Sequence, residues 1–172
     1  LMTINSGKIY GPKGAGALFI REGVTVEPIM IGGGQERQLR SGTENVPAIV
    51  GFAKALEIAR NTRVAESERE CALRDKLIKG ILENVPKSRL NGDPHLRLSN
   101  NVNVSFLGIE GEALLLRLDM AGIAASSGSA CSSGALEASH VIRAIGLSEE
   151  WSHSATRFSL GRGNTERDIE TV

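Results

Sequence analysis

An α/β fold is predicted by three features of the sequence. Short apolar runs bounded by glycine, proline and asparagine have the length of strands, and one of them, Asn101-Val102-Asn103-Val104-Ser105-Phe106, alternates with period two. Two longer stretches, one opened by Pro47 and one over about 65–85, place apolar residues at helical spacing. The two patterns interleave along all 172 residues without an internal repeat, which is the pattern of mixed strand and helix layers around a core.

In chain order, residues 1–4 read as a buried strand that ends at Asn5-Ser6-Gly7. Three glycines and a proline in the next ten residues mark turns, and 17–20 is a second strand. Pro28-Ile29-Met30-Ile31 is another apolar run. The polar stretch 32–45 opens on Gly32-Gly33-Gly34 and is long for a connection, a length usually reserved for function. Two helices follow, separated near residue 60, the second with Cys71, Leu73, Leu77, Ile78, Ile81 and Leu82 on one face. Pro86 and Asn91-Gly92-Asp93-Pro94 break the chain before the alternating strand. Gly111 starts a helix, 123–125 is a short strand, and 126–134 is a Ser/Gly loop around Cys131. Helices over 137–146 and after Ser148, a strand over 156–160 and a helix started by Thr165 complete the chain. A domain boundary is placed near residue 60, giving segments 1–60 and 61–172. The chain opens inside an apolar run and stops inside a helix, so it is expected to be a piece of a longer protein.

Composition narrows the class. Twenty basic and 20 acidic residues cancel, which removes any general pull toward nucleic acid or an anionic membrane. No apolar run approaches the roughly 20 residues of a membrane span. Two cysteines are too few for a disulfide framework, and a reducing, cytoplasmic compartment is expected.

Few residues can carry chemistry. A Ser/Gly run cannot surround Cys131 with apolar side chains, so an exposed, reactive thiol is expected on a travelling loop. Cys71, on a helix face, reads as a small packing residue. Lys8 sits at a strand end beside a tight turn, where it is either a surface lysine or an amine facing a cofactor. Arg40-Ser41-Gly42-Thr43 combines a guanidinium, two hydroxyls and backbone amides, a set that suits a phosphate. Arg157 lies in an otherwise apolar strand and needs an anionic partner, supplied by the protein or by a substrate. Arg162 follows a glycine and reads as solvated, and His95, His140 and His153 lack metal-ligand spacing.

Four motifs in this order resemble the cysteine desulfurases, within the class V aminotransferase branch of the fold-type I pyridoxal-phosphate enzymes. They are Lys8-Ile9-Tyr10-Gly11-Pro12-Lys13-Gly14, Arg40-Ser41-Gly42-Thr43-Glu44-Asn45, Ser127-Gly128-Ser129-Ala130-Cys131-Ser132-Ser133 and Arg157-Phe158-Ser159-Leu160-Gly161. The resemblance implies the C-terminal part of a fold-type I transferase, with 1–60 as the end of the large cofactor-binding domain and 61–172 as most of the small α/β domain. It implies that Lys8 binds pyridoxal phosphate covalently, that Ser6 assists at the phosphate, and that Thr43 reaches the cofactor phosphate of the neighbouring subunit in a homodimer. Cys131 would be the nucleophile and Arg157 the residue that binds the carboxylate of L-cysteine. The products would be L-alanine and a persulfide on Cys131, destined for an iron–sulfur scaffold or for tRNA thiolation through an acceptor protein. Cys131 would also be a transient iron–sulfur ligand. No direct contact with nucleic acid or membrane is implied. One position departs from the family, which commonly has histidine where this chain has Gly7. The family's ring-stacking histidine and pyridine-pairing aspartate precede the lysine and lie outside this chain, so it is expected to be inactive alone. The alternatives are a selenocysteine lyase or another class V aminotransferase, and a non-catalytic sulfur-relay or scaffold-binding module.

Overall fold

The computed structural model describes residues 1–127 and 139–172. It divides into two compact units, Leu1–Arg63 and Val64–Val172.

The first unit is built on a two-stranded antiparallel ribbon. Strand β1 (Met2–Asn5) pairs with β2 (Gly16–Phe19), with Met2 opposite Phe19 and Asn5 opposite Gly16. The connecting turn is stitched through Ser6. Its amide donates to the Ala15 carbonyl at 3.1 Å, and its carbonyl accepts from Ile9 at 3.1 Å and Gly11 at 2.9 Å. Gly11 and Pro12 of this turn meet helix α1 (Val46–Asn84), where Ala48, Phe52 and Ala55 are buried. A Cβ at Gly51 would lie 2.7 Å from Pro12 Cγ, so glycine is what lets the helix approach the turn.

Two expectations fail here. The first strand is not buried: Met2 is 54% exposed, because a ribbon of two strands has two open faces. The apolar run 28–31 forms no strand, and the side chain of Ile29 is almost wholly exposed.

The separation of two helices near residue 60 is also replaced, by a single helix of 39 residues. Asn61-Thr62-Arg63-Val64 contains neither glycine nor proline, and each residue costs a helix only up to about 0.7 kcal/mol relative to alanine. Thr62 remains compatible by donating its hydroxyl to the Ile58 carbonyl one turn back, at 3.0 Å.

The second unit is a four-stranded antiparallel sheet in the order β3-β4-β6-β5, formed by β3 (Ser88–Leu90), β4 (Asn101–Phe106), β5 (Ser126–Ser127) and β6 (Thr156–Ser159). Alternation along β4 puts Val102, Val104 and Phe106 on one face, where they form the core with Leu73, Leu77 and Ile81 of α1 and with Phe158 and Leu160. Helix α2 (Gly111–Met120) adds Leu114 and Leu118, and α5 (Glu166–Thr171) adds Ile169. Helices α3 (His140–Ala144) and α4 (Glu149–His153) carry a smaller cluster of Ile142, Leu147 and Ala155 beside Trp151. Strand β3 was not foreseen, and the strand expected at 123–125 forms three residues later. Residues 137 and 138, the expected start of the helix before Gly146, lie outside the described residues.

Candidate active site

Lys8 closes a short 3-10 turn, Ser6–Lys8, at the end of β1. Asn5 starts this turn by accepting from the Gly7 amide through Oδ1 at 2.8 Å. Lys8 is exposed and takes part in no ion pair or side-chain hydrogen bond among the described residues, so its amine is available. Tyr10, two residues on, holds the left-handed backbone conformation with φ 63°.

Ser6, expected from the resemblance to assist at a phosphate, is fully buried, and its Oγ has no hydrogen-bond partner among the described residues. The hydroxyl fills the inside of the turn, and a Cβ at Gly11 would come within 2.3 Å of it.

The loop before α1 is tied to itself. Ser41 donates its hydroxyl to the Gly33 carbonyl at 2.9 Å, and the Gly42 amide donates to Gln35 Oε1 at 3.2 Å. Gly42 has φ 120°, which favours glycine. Arg40 donates to the Ser41 carbonyl. Pro28, Ile31, Gly32, Gly34 and Ser41 surround an open hollow. Thr43 is exposed, and its hydroxyl has no partner among the described residues. A lysine amine suits an aldehyde cofactor, and a threonine hydroxyl beside backbone amides suits a phosphate.

Arg157 occupies the polar face of the second unit's sheet. Its cross-strand partners are Asn103 on β4 and Ser126 on β5, so the three side chains share one face. Arg157 is half-buried, and its Nε donates to Ser159 Oγ at 3.2 Å. No acidic side chain pairs with it among the described residues. Of the two partners left open by the sequence, an internal carboxylate is therefore not found in the described residues.

A polar network that sequence reasoning missed supports this face. Asn91, 3% exposed, donates its Nδ2 to Asn103 Oδ1 at 2.7 Å and to Ser105 Oγ at 2.8 Å. The Asn91 carbonyl accepts from Arg97 Nη2 at 2.7 Å. Arg97 Nε and Nη1 are buried without partners, and that burial, reinforced by the nearby Arg74 charge, lowers the pKa of its guanidinium. Arg74 is buried, donates to the Leu98 carbonyl at 3.2 Å and pairs with Asp75 at 2.8 Å, and the bond to Asp75 raises its pKa. The alternating asparagines and serine of β4 were visible as a polar face, but only the strand register shows that Asn103 stands beside Arg157.

Cys131 lies outside the described residues, as does any role for it as an iron–sulfur ligand. Among the described residues no three of His, Cys, Asp and Glu group to hold a metal, and no helix is long and apolar enough to cross a membrane. Cys71 is a half-buried free thiol. His153 lies 3.6 Å from Glu149 on the same short helix.

Comparison with known proteins agrees with the four motifs. The cysteine desulfurase IscS 1 of Archaeoglobus fulgidus is 55% identical over 172 residues, which is all of this chain and 45% of that protein. The cysteine desulfurase IscS of Methanosarcina thermophila is 53% identical over 173 residues. The chain thus spans less than half the length of the curated relatives it matches. Among solved structures, a NifS-like protein from Rickettsia africae superposes with a TM-score of 0.86 at 34% identity, over 98% of this chain and 44% of that one. Another NifS-like protein gives 0.85 at 36% identity. These neighbours place the fold with the NifS-like proteins. With the aminotransferase class-V family model matching all of residues 1–172, the chain belongs to the class-V aminotransferase family.

Proposed function

We propose that the chain is the C-terminal part of a cysteine desulfurase that removes sulfur from L-cysteine, leaving L-alanine. The observation that carries this reading is Arg157: a half-buried guanidinium without an acidic partner among the described residues, on the strand hydrogen-bonded to the one that leads toward Cys131. Such a group accepts a substrate carboxylate through a charge-assisted, two-point contact. The names of the relatives, the family match and the four motifs support the same chemistry.

In this reading 1–60 belongs to the cofactor-binding domain, and Lys8 is the residue that holds pyridoxal phosphate. When bound, that group withdraws electrons from the substrate's α-carbon, which no side chain does. Lys8 Nζ takes the α-proton as a general base. Arg157 fixes the carboxylate and so orients the α-carbon and the sulfur. The Cys131 thiolate attacks the substrate sulfur, forming an S–S bond as the C–S bond breaks, and the carbon skeleton leaves as alanine after protonation. Cys131 lies four residues beyond Ser127, the end of β5, so the intervening chain spans at most about 14 Å. That tether suits delivery of persulfide sulfur to an iron–sulfur scaffold or another acceptor protein in a reducing, cytoplasmic setting. Thr43 contributes its hydroxyl to the phosphate site of the neighbouring subunit in a homodimer.

The test uses the full-length protein carrying this chain, supplied with pyridoxal phosphate. L-cysteine should yield alanine and, with a thiol reductant, sulfide in equal amounts. Cys131→Ser should bind the cofactor but release no sulfide, and Lys8→Ala should lose the cofactor's absorbance band. Normal turnover by Cys131→Ser, or an unaltered band in Lys8→Ala, overturns the assignment of that residue.

A further inference from the structure

We infer that Asn103 is a second donor to the carboxylate bound by Arg157, an inference that rests on the reading of Arg157 above. Three observations lead to it. The first is register. Asn103 stands directly opposite Arg157 in the β4–β6 pair, so the two side chains leave the same face of the sheet about 5 Å apart at their Cβ atoms.

The second is orientation. An asparagine amide can be turned either way, and here its neighbour decides. Asn91 Nδ2 has two hydrogens, and its bonds to Asn103 Oδ1 and Ser105 Oγ use both. A donor on Asn91 requires an acceptor facing it, so the oxygen of Asn103 is turned toward Asn91. The Asn103 Nδ2 group is thereby turned away from Asn91 with its two hydrogens unassigned. The bond from Arg97 Nη2 to the main-chain carbonyl of Asn91 holds its backbone, and its side chain is deeply buried, with Oδ1 unpartnered among the described residues.

The third is an unmet demand. Asn103 Nδ2 makes no hydrogen bond among the described residues, and neither do the terminal nitrogens of Arg157. Both side chains are half-buried on one face, and no acidic side chain pairs with either among the described residues. Two adjacent donor groups with unused N–H bonds fit a carboxylate, whose two oxygens offer about four lone-pair sites. Arg157 supplies the charge and the fork. Asn103 supplies a neutral donor of set direction, which selects the in-plane pose of the carboxylate. Had Asn103 been only a sheet-face polar residue, its bond to Asn91 would account for it, and changing it would affect all ligands alike.

The experiment measures binding of L-alanine and of L-alaninamide by calorimetry to the full-length, cofactor-loaded protein. The two ligands differ only in carboxylate against neutral amide. Asn103→Ala should weaken L-alanine about tenfold, in line with one lost hydrogen bond to a charged acceptor, and leave L-alaninamide unchanged. Asn103→Asp keeps an acceptor for Asn91, so it preserves the network, but it sets a negative charge against the ligand. It should weaken L-alanine more than Asn103→Ala does, again without loss of L-alaninamide. Equal losses for both ligands, or full affinity of Asn103→Asp for L-alanine, overturn the inference. Arg157→Ala separates the two levels. If it weakens L-alanine while both Asn103 variants do not, the role of Asn103 fails and that of Arg157 stands. If it leaves L-alanine binding intact, the carboxylate reading fails and takes Asn103 with it.

Discussion

Ser126 lies directly opposite Arg157 across the β5–β6 pair, so the strand that precedes Cys131 in sequence is registered on a guanidinium that has no acidic partner among the described residues.

Arg157 should therefore control KM for L-cysteine. A hydrogen bond to a charged partner contributes about 1.5–3 kcal/mol, so Arg157→Ala should raise KM by roughly 10- to 100-fold in the full-length protein. Arg157→Lys keeps the charge but loses the fork, and should fall between the two. Steady-state rates at varied L-cysteine decide this, and a KM for Arg157→Lys equal to that of the parent would show that the fork contributes nothing.

What could be read from the sequence was whatever depends on local pattern. The alternation of 101–106 gave a strand with Val102 and Val104 inward, and Thr165 with Asp168 forms the capping box of α5. Positions set by neighbours distant in sequence could not be read. Asn61 and Thr62 look like a helix boundary in isolation, but the helix continues through them. Ser88-Arg89-Leu90 is too short to carry a strand pattern and becomes one only by pairing with Val104-Ser105-Phe106. Lys8 and Arg157 stood out by residue type within motifs. Asn91, Asn103 and Arg74 did not, because their roles exist only once strands are paired and loops are closed.

The packing of α1 can be tested at two positions five residues apart. Leu77 is 3% exposed in the core, whereas Leu82 is 42% exposed. Leu77→Ala should cost about 2–5 kcal/mol, through lost burial and the cavity left behind. Leu82→Ala should cost well under half of that. Urea unfolding of the two variants measures the difference, and similar losses would place the buried face of the helix elsewhere.

Glu110 gives a pH-dependent contribution. It precedes α2 and accepts from the Ala113 amide at 2.7 Å and the Glu112 amide at 3.0 Å. These bonds, with a smaller contribution from the His153 charge, hold its pKa below the ordinary 4.5. A folded-state value below the unfolded one means that the contribution is complete above pH 4.5 and is lost as pH falls through the folded value. Glu110→Gln keeps an acceptor oxygen but not the charge. It should be less stable than the parent at neutral pH, and the gap should close in acid. Urea midpoints across that range check this, and a gap that widens in acid would reverse the sign.

The turn that carries Lys8 is closed by the fit of Gly11 over Ser6, and this fit can be opened from either side. A methyl at Gly11 would meet Ser6 Oγ at 2.3 Å, Ala55 Cβ at 3.0 Å and the Ser6 carbonyl at 3.1 Å. Gly11→Ala should therefore destabilise by about 1–3 kcal/mol, the usual range for overpacking. Ser6→Ala removes a fully buried hydroxyl that has no partner among the described residues, so it should be neutral or stabilising. In the double variant the hydroxyl no longer opposes the added methyl, so the loss should be smaller than the sum of the single effects. A double-mutant cycle by urea unfolding measures that coupling. Additive losses would mean that Ala55 and the Ser6 carbonyl, rather than the hydroxyl, set the limit at Gly11. A large loss from Ser6→Ala alone would show that the hydroxyl has a partner.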